Sequence, residues 1–299
     1  MSHKGLQKAW SEELRSIDVV MCTCNSNKTW FKRCLKSIKN EIPVHCFILV
    51  DCFSRDNTVN AVKQLFPNAK IVRTEAKLAQ SRKIGFEMVD TPWFGFIDDD
   101  IEFKRDWYKK IIARITEDVG AVAGLAIETH PGLEKFAYLR INDKWMKSRK
   151  KGVATKQNPD STRGLTHNTL CRRKAVSGWS PPPNLVAYED HHLLRHIVRK
   201  GFKWMSVSDA QAKHHGIHNC KSEYRKAKWN YAGARYIGAT SLQRLLRTTI
   251  YIGLLVTFAS FKIRDPSIIT ISFSAHLGRI VGYLKWNKYM SSYINARTY

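Results

Sequence analysis

Residues 93–100 read WFGFIDDD, an apolar run that ends abruptly at three consecutive aspartates. A short apolar run bounded by polar residues is typical of a buried β-strand, and the aspartates then lie at its carboxyl end. Ligands of open α/β sheets bind at that edge. Adjacent carboxylates repel one another unless a cation or hydrogen-bond donors compensate, so this stretch predicts both a core strand and a site beside it.

The chemistry of Asp98, Asp99 and Asp100 suggests what that site holds. Mg²⁺ or Mn²⁺ bound to a diphosphate is a suitable cation, because hard metals take one or two carboxylates together with phosphate oxygens. The alternative is an acidic loop that caps the next helix, although Asp106 already stands where such a cap is needed. The three residues by themselves leave both interpretations open.

Strands and helices alternate along much of the chain. Apolar runs are followed by segments whose apolar residues recur at helical spacing, which predicts an α/β fold. We expect a mostly parallel, Rossmann-like sheet flanked by helices. The loops after Thr23, Val50 and Ile97 then meet at the carboxyl edge of that sheet. The apolar runs are residues 17–23, 46–50, 70–73, 93–97, 119–127 and 204–207.

The charge of the chain indicates a polyanionic partner. The 299 residues carry a formal net charge of +25, whereas the hydrophobic share of 43% is ordinary for a globular protein. Nucleic acid, an anionic membrane surface or phosphorylated substrates would each match this charge. The seven cysteines are scattered without a C-x-x-C pair, which favours free thiols over a disulfide framework or zinc site. The first residues show no apolar signal region, so we expect a cytoplasmic protein.

Five short segments carry the patterns of one known family and keep its order. They are VVMCTCN at residues 19–25, VDCFSRDNT at 50–58, AQSRKIG at 79–85, FIDDD at 96–100 and, from 188, YED followed by Leu194, Arg195 and Gly201. Together they resemble the family 2 glycosyltransferases over residues 17–215. The resemblance implies a GT-A fold, a nucleotide-sugar donor and metal-dependent transfer with inversion.

The resemblance also implies roles for the donor side. Thr23 and Asn25 would line the nucleotide-sugar site, and Asp51 would hold the base or the ribose. The alternative for Asp51 is an aspartate that only forms a turn. Cys52 stands where the family has a second aspartate, and a thiol is a poor partner for a uracil imide. The identity of the nucleotide therefore stays open.

Further roles surround the diphosphate. Arg82 and Asp98 would contact the nucleotide sugar or each other, with Asp99 beside them. Asp100 would bind the Mn²⁺ or Mg²⁺ that bridges the phosphates. His214 and His215 follow the run at residues 204–207, where related enzymes place a histidine near the metal, and one of them is a candidate second ligand. A surface histidine is the alternative.

The acceptor side is implied by residues near position 190. Asp190 would be the general base that takes the proton of the acceptor hydroxyl during its attack on C1. Glu189 and Trp179 would lie on the same side. The alternative is that Glu189 and Asp190 only favour the helix dipole at a helix start.

The tail changes character near residue 242. Two apolar segments follow, residues 248–261 and 266–284. The fourteen residues of the first segment reach only about 21 Å, short of the roughly 30 Å hydrocarbon core, and His276 and Arg279 interrupt the second. We therefore expect interfacial rather than spanning helices. Such helices would lie on an anionic membrane, although packing on the catalytic domain or across a dimer is the alternative. The flanking basic residues are Arg244, Arg247, Lys262, Arg264 and Lys285.

These observations predict three regions and one function. Residues 1–16 are an N-terminal extension, 17–241 the GT-A domain and 242–299 a C-terminal helical appendage with peripheral membrane association. The predicted reaction moves a sugar from a nucleotide diphosphate to a glycan or lipid-linked acceptor. A polyprenyl-phosphate sugar synthase is the nearest alternative. A basic nucleic-acid-binding protein is the alternative from another class, but no recognised motif supports it and no nucleic-acid partner is expected.

Overall fold

The computed structural model describes residues 12–129, 133–134 and 152–291. Residues 1–11 of the predicted extension and the basic run at 147–151 lie outside this range.

The amino-terminal half forms four parallel strands joined by helices. The predicted βαβ alternation is confirmed here, since β1 pairs with both β2 and β4, and β3 extends the sheet beyond β2. Helix α1 buries Phe31, Cys34, Leu35 and Ile38, which share one face at helical spacing. The elements are β1 (Ile17–Thr23), α1 (Phe31–Glu41), β2 (Val44–Asp51), α2 (Thr58–Leu65), β3 (Lys70–Arg73), α3 (Leu78–Glu87) and β4 (Trp93–Ile97).

The second half extends the same sheet with mixed pairing. Within the described residues nine strands form one sheet in the order β3-β2-β1-β4-β8-β6-β9-β5, with β7 on β9. Strand β8 runs antiparallel to both β4 and β6, and β6 runs parallel to β9. The elements are β5 (Ile101–Phe103), α4 (Trp107–Ile112), β6 (Val119–Glu128), β7 (Gly152–Ala154), β8 (Asn168–Arg172), α5 (Arg173–Val176), α6 (Glu189–Arg199) and β9 (Lys203–His214).

Both faces of the sheet are covered, as the α/β class requires. Successive residues of β1 point to opposite faces, so Val19 belongs to one apolar cluster and Val20 to the other. Trp107 packs into the first cluster, and Leu194 of α6 packs into the second. Parallel pairing is confined to the first four strands and to β6 with β9.

Four helices complete the described chain: α7 (Cys220–Tyr236), α8 (Leu242–Ile263), α9 (Ser267–Leu284) and α10 (Trp286–Ser291). Helix α9 packs closely along α7, because Gly278 and Gly282 bring its backbone against the carbonyls of Tyr224 and Lys228. A Cβ at either glycine would overlap those oxygens. The tail therefore docks on α7, which precedes the boundary predicted at residue 241.

Helix α8 corrects the predicted length of the first tail segment. Its 22 residues extend about 33 Å, because polar residues at both ends continue the helix beyond the apolar run. Its apolar window has a mean hydropathy of 1.3 and is 11% buried. By length and composition alone, one helix of the described chain could cross a membrane. Helix α8 is therefore long enough to span, contrary to the prediction from the fourteen residues of the first apolar segment.

Candidate active site

The predicted donor loops meet at one edge of the sheet. Thr23 ends β1 opposite Asp51, the last residue of β2, and Asp98 follows β4. Asn25 adopts a left-handed backbone, with φ of 51°, at the turn after β1. Its side-chain oxygen accepts a hydrogen bond from the Arg55 amide at 2.9 Å. Asn25 thus ties the β1 loop to the β2 loop.

Asp51 presents an unused acceptor at this edge. Its side chain is fully buried, its Oδ2 accepts from the Ser54 amide at 3.0 Å, and Arg73 Nε lies 3.7 Å away. Its Oδ1 has no hydrogen-bond partner among the described residues. Because an unsatisfied buried acceptor is costly, an N–H or O–H group of a ligand would be favoured here.

Asp98 faces Arg82, one of the contacts that the resemblance implies. Arg82 NH2 donates to Asp98 Oδ1 at 2.9 Å, and Arg82 Nε donates to Glu189 Oε1 at 3.2 Å. The guanidinium is only 3% exposed. Although burial alone would raise the pKa of Asp98, Arg82 and the nearby His167 hold it below its usual range. The three side chains form one ionic group, in which Arg82 and Glu189 are buried and Asp98 is one-third exposed.

Asp99 turns back toward the β1 loop. Its Oδ2 accepts from Thr23 Oγ1 at 2.9 Å and also from Ser26 Oγ. Burial, together with the charge of Asp100, raises the pKa of Asp99 to about 7. Asp99 and Asp100 also line a small cavity of about 140 Å³ beside Lys28 and Trp30.

Asp100 and His214 come together, whereas His215 does not join them. His214 Nε2 lies 3.2 Å from Asp100 Oδ2. His215 Nε2 instead lies 2.7 Å from Glu102 Oε2, and its ring stacks on Trp30. Of the two candidate histidines, His214 is therefore the one whose ring contacts Asp100, while the His215 ring pairs with Glu102.

The residues at Asp100 fit a divalent cation that brings its own phosphate ligands. Asp100 Oδ1 is buried without a hydrogen-bond partner in the described part of the chain. Within residues 12–129, 133–134 and 152–291 no group of three or more acidic, histidine or cysteine side chains is arranged as a metal site. A cation held here would therefore take Asp100 and His214 from the protein, with phosphate oxygens and water completing its shell.

Glu189 and Asp190 begin α6 after a strained turn. Tyr188 has a left-handed backbone with φ of 71°, which is uncommon for a residue with a side chain. Gly233 of α7 lies so close that a Cβ would overlap the carbonyl oxygen of Ala187. The turn is therefore held in place by α7. Burial and the neighbouring Asp190 raise the pKa of Glu189 to about 7, against the effect of Arg82.

The two carboxylate oxygens of Asp190 have different surroundings. Its Oδ1 accepts from the His191 amide at 2.7 Å, while Oδ2 lies 3.7 Å from Arg163 NH2. Trp179, predicted on the acceptor side, is instead 2% exposed and donates from Nε1 to His192 Nδ1 at 3.0 Å. The indole supports α6 from within the core, where its large apolar surface is buried.

Sequence reasoning missed Glu128, His218 and Glu223, which lie next to His214. Glu128 ends the apolar strand β6, so its place at a strand end was a usable signal. The sequence offered no such signal for His218 and Glu223, because these two side chains come into contact only through the packing of α7.

Comparisons with known proteins show the family and the fold of the chain. The model of the family described as "Glycosyl transferase family 2" matches residues 18–179, more than half of the chain. A search of the curated proteins found no match. The mannosyltransferase PcManGT from Pyrobaculum calidifontis, solved in complex with GDP-Man and Mn²⁺, is similar with a TM-score of 0.56 and 15% identity, covering 87% of this chain and 73% of that one.

Two further solved structures share the fold. The S. aureus TarS fragment 1-349 has a TM-score of 0.51 and 14% identity, with 91% of each chain covered. Glucosyl-3-phosphoglycerate synthase from Mycobacterium tuberculosis, in complex with phosphoglyceric acid, has a TM-score of 0.53 and 13% identity, covering 80% of this chain and 85% of that one. At these identities the likeness shows the fold.

Proposed function

The chain belongs to glycosyl transferase family 2, and from this premise we propose that it transfers a sugar from a nucleotide diphosphate to a glycan or lipid-linked acceptor, with inversion and with a divalent cation. The observation that carries the proposal is a pair of buried carboxylate oxygens, Asp51 Oδ1 and Asp100 Oδ1, that have no hydrogen-bond partner among the residues the structure describes. Both lie at the carboxyl edge of the sheet, where α/β folds bind ligands. A nucleoside diphosphate with its cation would satisfy both.

The donor would lie across the ends of β1, β2 and β4. Asp51 offers an acceptor to an N–H of the base or to a ribose hydroxyl. The half-buried Cys52 takes the place of a second carboxylate. Both guanine and uracil carry ring N–H groups that suit a carboxylate. GDP-sugars and UDP-sugars are therefore the first donors to test.

Asp100 and His214 would hold the cation. Mn²⁺ or Mg²⁺ bound there would neutralise charge that develops on the departing diphosphate. Arg82 is paired with Asp98 and Glu189, so it organises the floor of the cleft.

Asp190 would act on the acceptor. The acceptor oxygen attacks C1 from the face opposite the diphosphate, the bond from C1 to the phosphate oxygen breaks, and the hydroxyl proton passes to Asp190 Oδ2. Attack from the opposite face inverts the configuration at C1. Glu189 is bound by Arg82 and would keep α6 in position.

The tail would hold the enzyme on an anionic bilayer. Helices α8 and α9 pack against each other and leave large apolar side chains exposed, while basic residues lie at their ends. Exposed apolar surface flanked by positive charge suits a membrane interface, which favours a lipid-linked acceptor. The exposed residues are Leu242, Leu246, Ile250, Leu254, Phe258, Phe261, Ile269, Phe273, Leu277, Ile280 and Leu284.

A transfer assay tests the proposal. The full chain is incubated with Mn²⁺, a panel of GDP- and UDP-sugars, and either soluble oligosaccharides or polyprenyl phosphate in vesicles. We expect one donor to give a product whose anomeric configuration is inverted by NMR, with turnover lost in EDTA. A retained configuration would contradict the inverting mechanism. If the protein binds a nucleotide sugar specifically but transfers no sugar from any donor, the proposal that it glycosylates a glycan or a lipid-linked acceptor would be contradicted.

A further inference from the structure

Five side chains, alternately carboxylates and imidazoles, form a line of contacts that starts at Asp100 and ends on helix α7. His214 Nε2 lies 3.2 Å from Asp100 Oδ2, and His214 Nδ1 lies 3.2 Å from Glu128 Oε1. Glu128 Oε2 lies 2.7 Å from His218 Nε2, and His218 Nδ1 lies 2.9 Å from Glu223 Oε1. Carboxylate and imidazole alternate at every step. The chain begins at the candidate cation site and ends in the first turns of α7.

The central carboxylate determines which proton each ring carries. Its two oxygens lie against ring nitrogens of two different histidines, Oε1 at 3.2 Å from His214 Nδ1 and Oε2 at 2.7 Å from His218 Nε2. An ionised carboxylate can only accept hydrogen bonds. His214 must therefore present Nδ1–H to Glu128, which directs its other nitrogen, Nε2, to Asp100.

That orientation is the one a ligating histidine needs. Histidines that bind metals commonly donate the remaining ring N–H to a carboxylate, which fixes the ring and its tautomer. Resting on the proposed function, we infer that Glu128 is a positioning residue of the divalent-cation site, anchored to α7 through His218 and Glu223. Glu128 touches neither the cation nor the sugar. It holds His214 so that Nε2 stays beside Asp100.

Helix α7 gives the anchor its rigidity. Gly233 packs against the carbonyl of Ala187, just before Glu189, and α9 packs along the same helix through Gly278 and Gly282. One element therefore supports the cation site, the turn before the proposed base and the tail helices. A weakened contact between Glu128 and His218 should loosen the cation site without opening the Asp51 side of the cleft.

Mn²⁺ binding tests this inference in the full-length protein. Free Mn²⁺ is measured by electron paramagnetic resonance during titration, alone and with GDP or UDP. We expect Glu128→Ala to weaken Mn²⁺ binding about 10- to 100-fold, the usual effect of losing an outer-shell partner. Glu128→Gln keeps an acceptor oxygen and should recover part of this loss. Glu87→Ala removes an exposed carboxylate that pairs with Lys83 at 2.9 Å, and it should bind Mn²⁺ as the wild type does.

Ring ¹⁵N NMR gives a second readout. In protein loaded with Mg²⁺ and GDP or UDP, the signals of His214 should report a protonated Nδ1 and an unprotonated, ligating Nε2 in the wild type and in Glu128→Gln, and a loss of this single state in Glu128→Ala. If Glu128→Ala fails to fold, Glu223→Gln replaces it, with an expected loss of Mn²⁺ affinity of about 3- to 10-fold, smaller because it acts through two more contacts.

The outcomes separate the inference from the proposed function. Unchanged Mn²⁺ affinity in folded Glu128→Ala, or a wild type that binds no Mn²⁺, overturns the role of Glu128. If the wild type binds no Mn²⁺ but still transfers sugar, the protein would be a transferase that does not use the cation. Weakened Mn²⁺ binding in Glu128→Ala supports the inference even if no donor in the panel is used.

Discussion

Arg82 Nε donates to Glu189 Oε1 at 3.2 Å and so links α3 to the first residue of α6. The same guanidinium donates to Asp98 at 2.9 Å. One buried cation thus joins the end of β4, on the donor side, to the helix that carries Asp190. The relative position of the two sides of the cleft depends on this contact.

We expect Arg82→Leu to lower the free energy of unfolding by about 3–5 kcal/mol, because it leaves buried carboxylates without their partner. Adding Glu189→Leu should restore part of that loss, since one uncompensated charge disappears. Denaturant unfolding measures both variants, with Lys83→Leu as the exposed control on the same helix. If the free energy of unfolding of Arg82→Leu lies within about 1 kcal/mol of the wild-type value, as for ordinary surface changes, the ionic group contributes little to stability.

Asp100→Ala should abolish the part of nucleoside diphosphate binding that depends on Mn²⁺ while leaving the fold intact. The reason is that Asp100 Oδ1 is buried and has no partner among the described residues. Calorimetry with GDP or UDP, with and without Mn²⁺, measures the effect. Asp209→Ala is the matched control, because Asp209 is half-exposed and pairs with Arg114. Metal-dependent affinity that survives in Asp100→Ala would remove Asp100 from the cation site.

Asp190→Asn should lower turnover by about 10²- to 10⁴-fold, the usual contribution of a general base. Asparagine keeps the size of the side chain and can accept from the His191 amide, but it cannot take a proton. Donor affinity and thermal stability should barely change. Glu189→Gln should behave differently and lower stability, since Arg82 loses a charged partner. Full activity in Asp190→Asn would make Glu189 the next candidate base.

Substituting the exposed face of the tail should release the protein from anionic liposomes. Deleting the tail is a poor test, because α9 packs on α7 and its loss would expose that interface. Leu254→Gln, Phe258→Gln and Phe273→Gln together change only exposed apolar side chains. Thr257→Gln and Thr270→Gln, at exposed positions of the same helices, are the control. Equal flotation of both variants at low and high salt would instead favour contact with a second protein copy.

His218 should make stability fall as the pH rises above neutral. Burial alone would lower its pKa, but the Glu128 and Glu223 carboxylates outweigh both burial and Lys226 and raise the pKa to about 9. Because the pKa of His218 is higher in the folded state, its protonation stabilises the folded protein fully below the unfolded-state pKa of about 6.5. This stabilisation is lost as the pH rises through about 9.

We therefore compare how far the free energy of unfolding falls between pH 6.5 and 9.5, in EDTA, in the wild type and in His218→Gln. At about 1.4 kcal/mol per pKa unit, the fall should be larger in the wild type by on the order of 2–3 kcal/mol. Urea unfolding at each pH measures the difference. Parallel pH profiles would mean that His218 is not held protonated by its two carboxylates.

The sequence by itself determined the strands and the edge where they end. Apolar runs and helical spacing predicted β1, β2, β3, β4 and β6, and placed Thr23, Asp51 and Asp98 at one edge. These features follow from the alternation of buried and exposed positions, which is written locally in the chain. The helix start considered at Glu189 and Asp190 is the start of α6.

Only the tertiary structure decided which side chains meet. His214 and His215 are neighbours in sequence, yet one faces Asp100 and the other Glu102, because consecutive residues leaving a strand point in opposite directions. Glu128 meets His218 only because β6 lies beside β9, and Glu223 joins them because α7 packs over the same edge. Such contacts depend on the packing of elements that are distant in the chain, and no local periodicity encodes that packing.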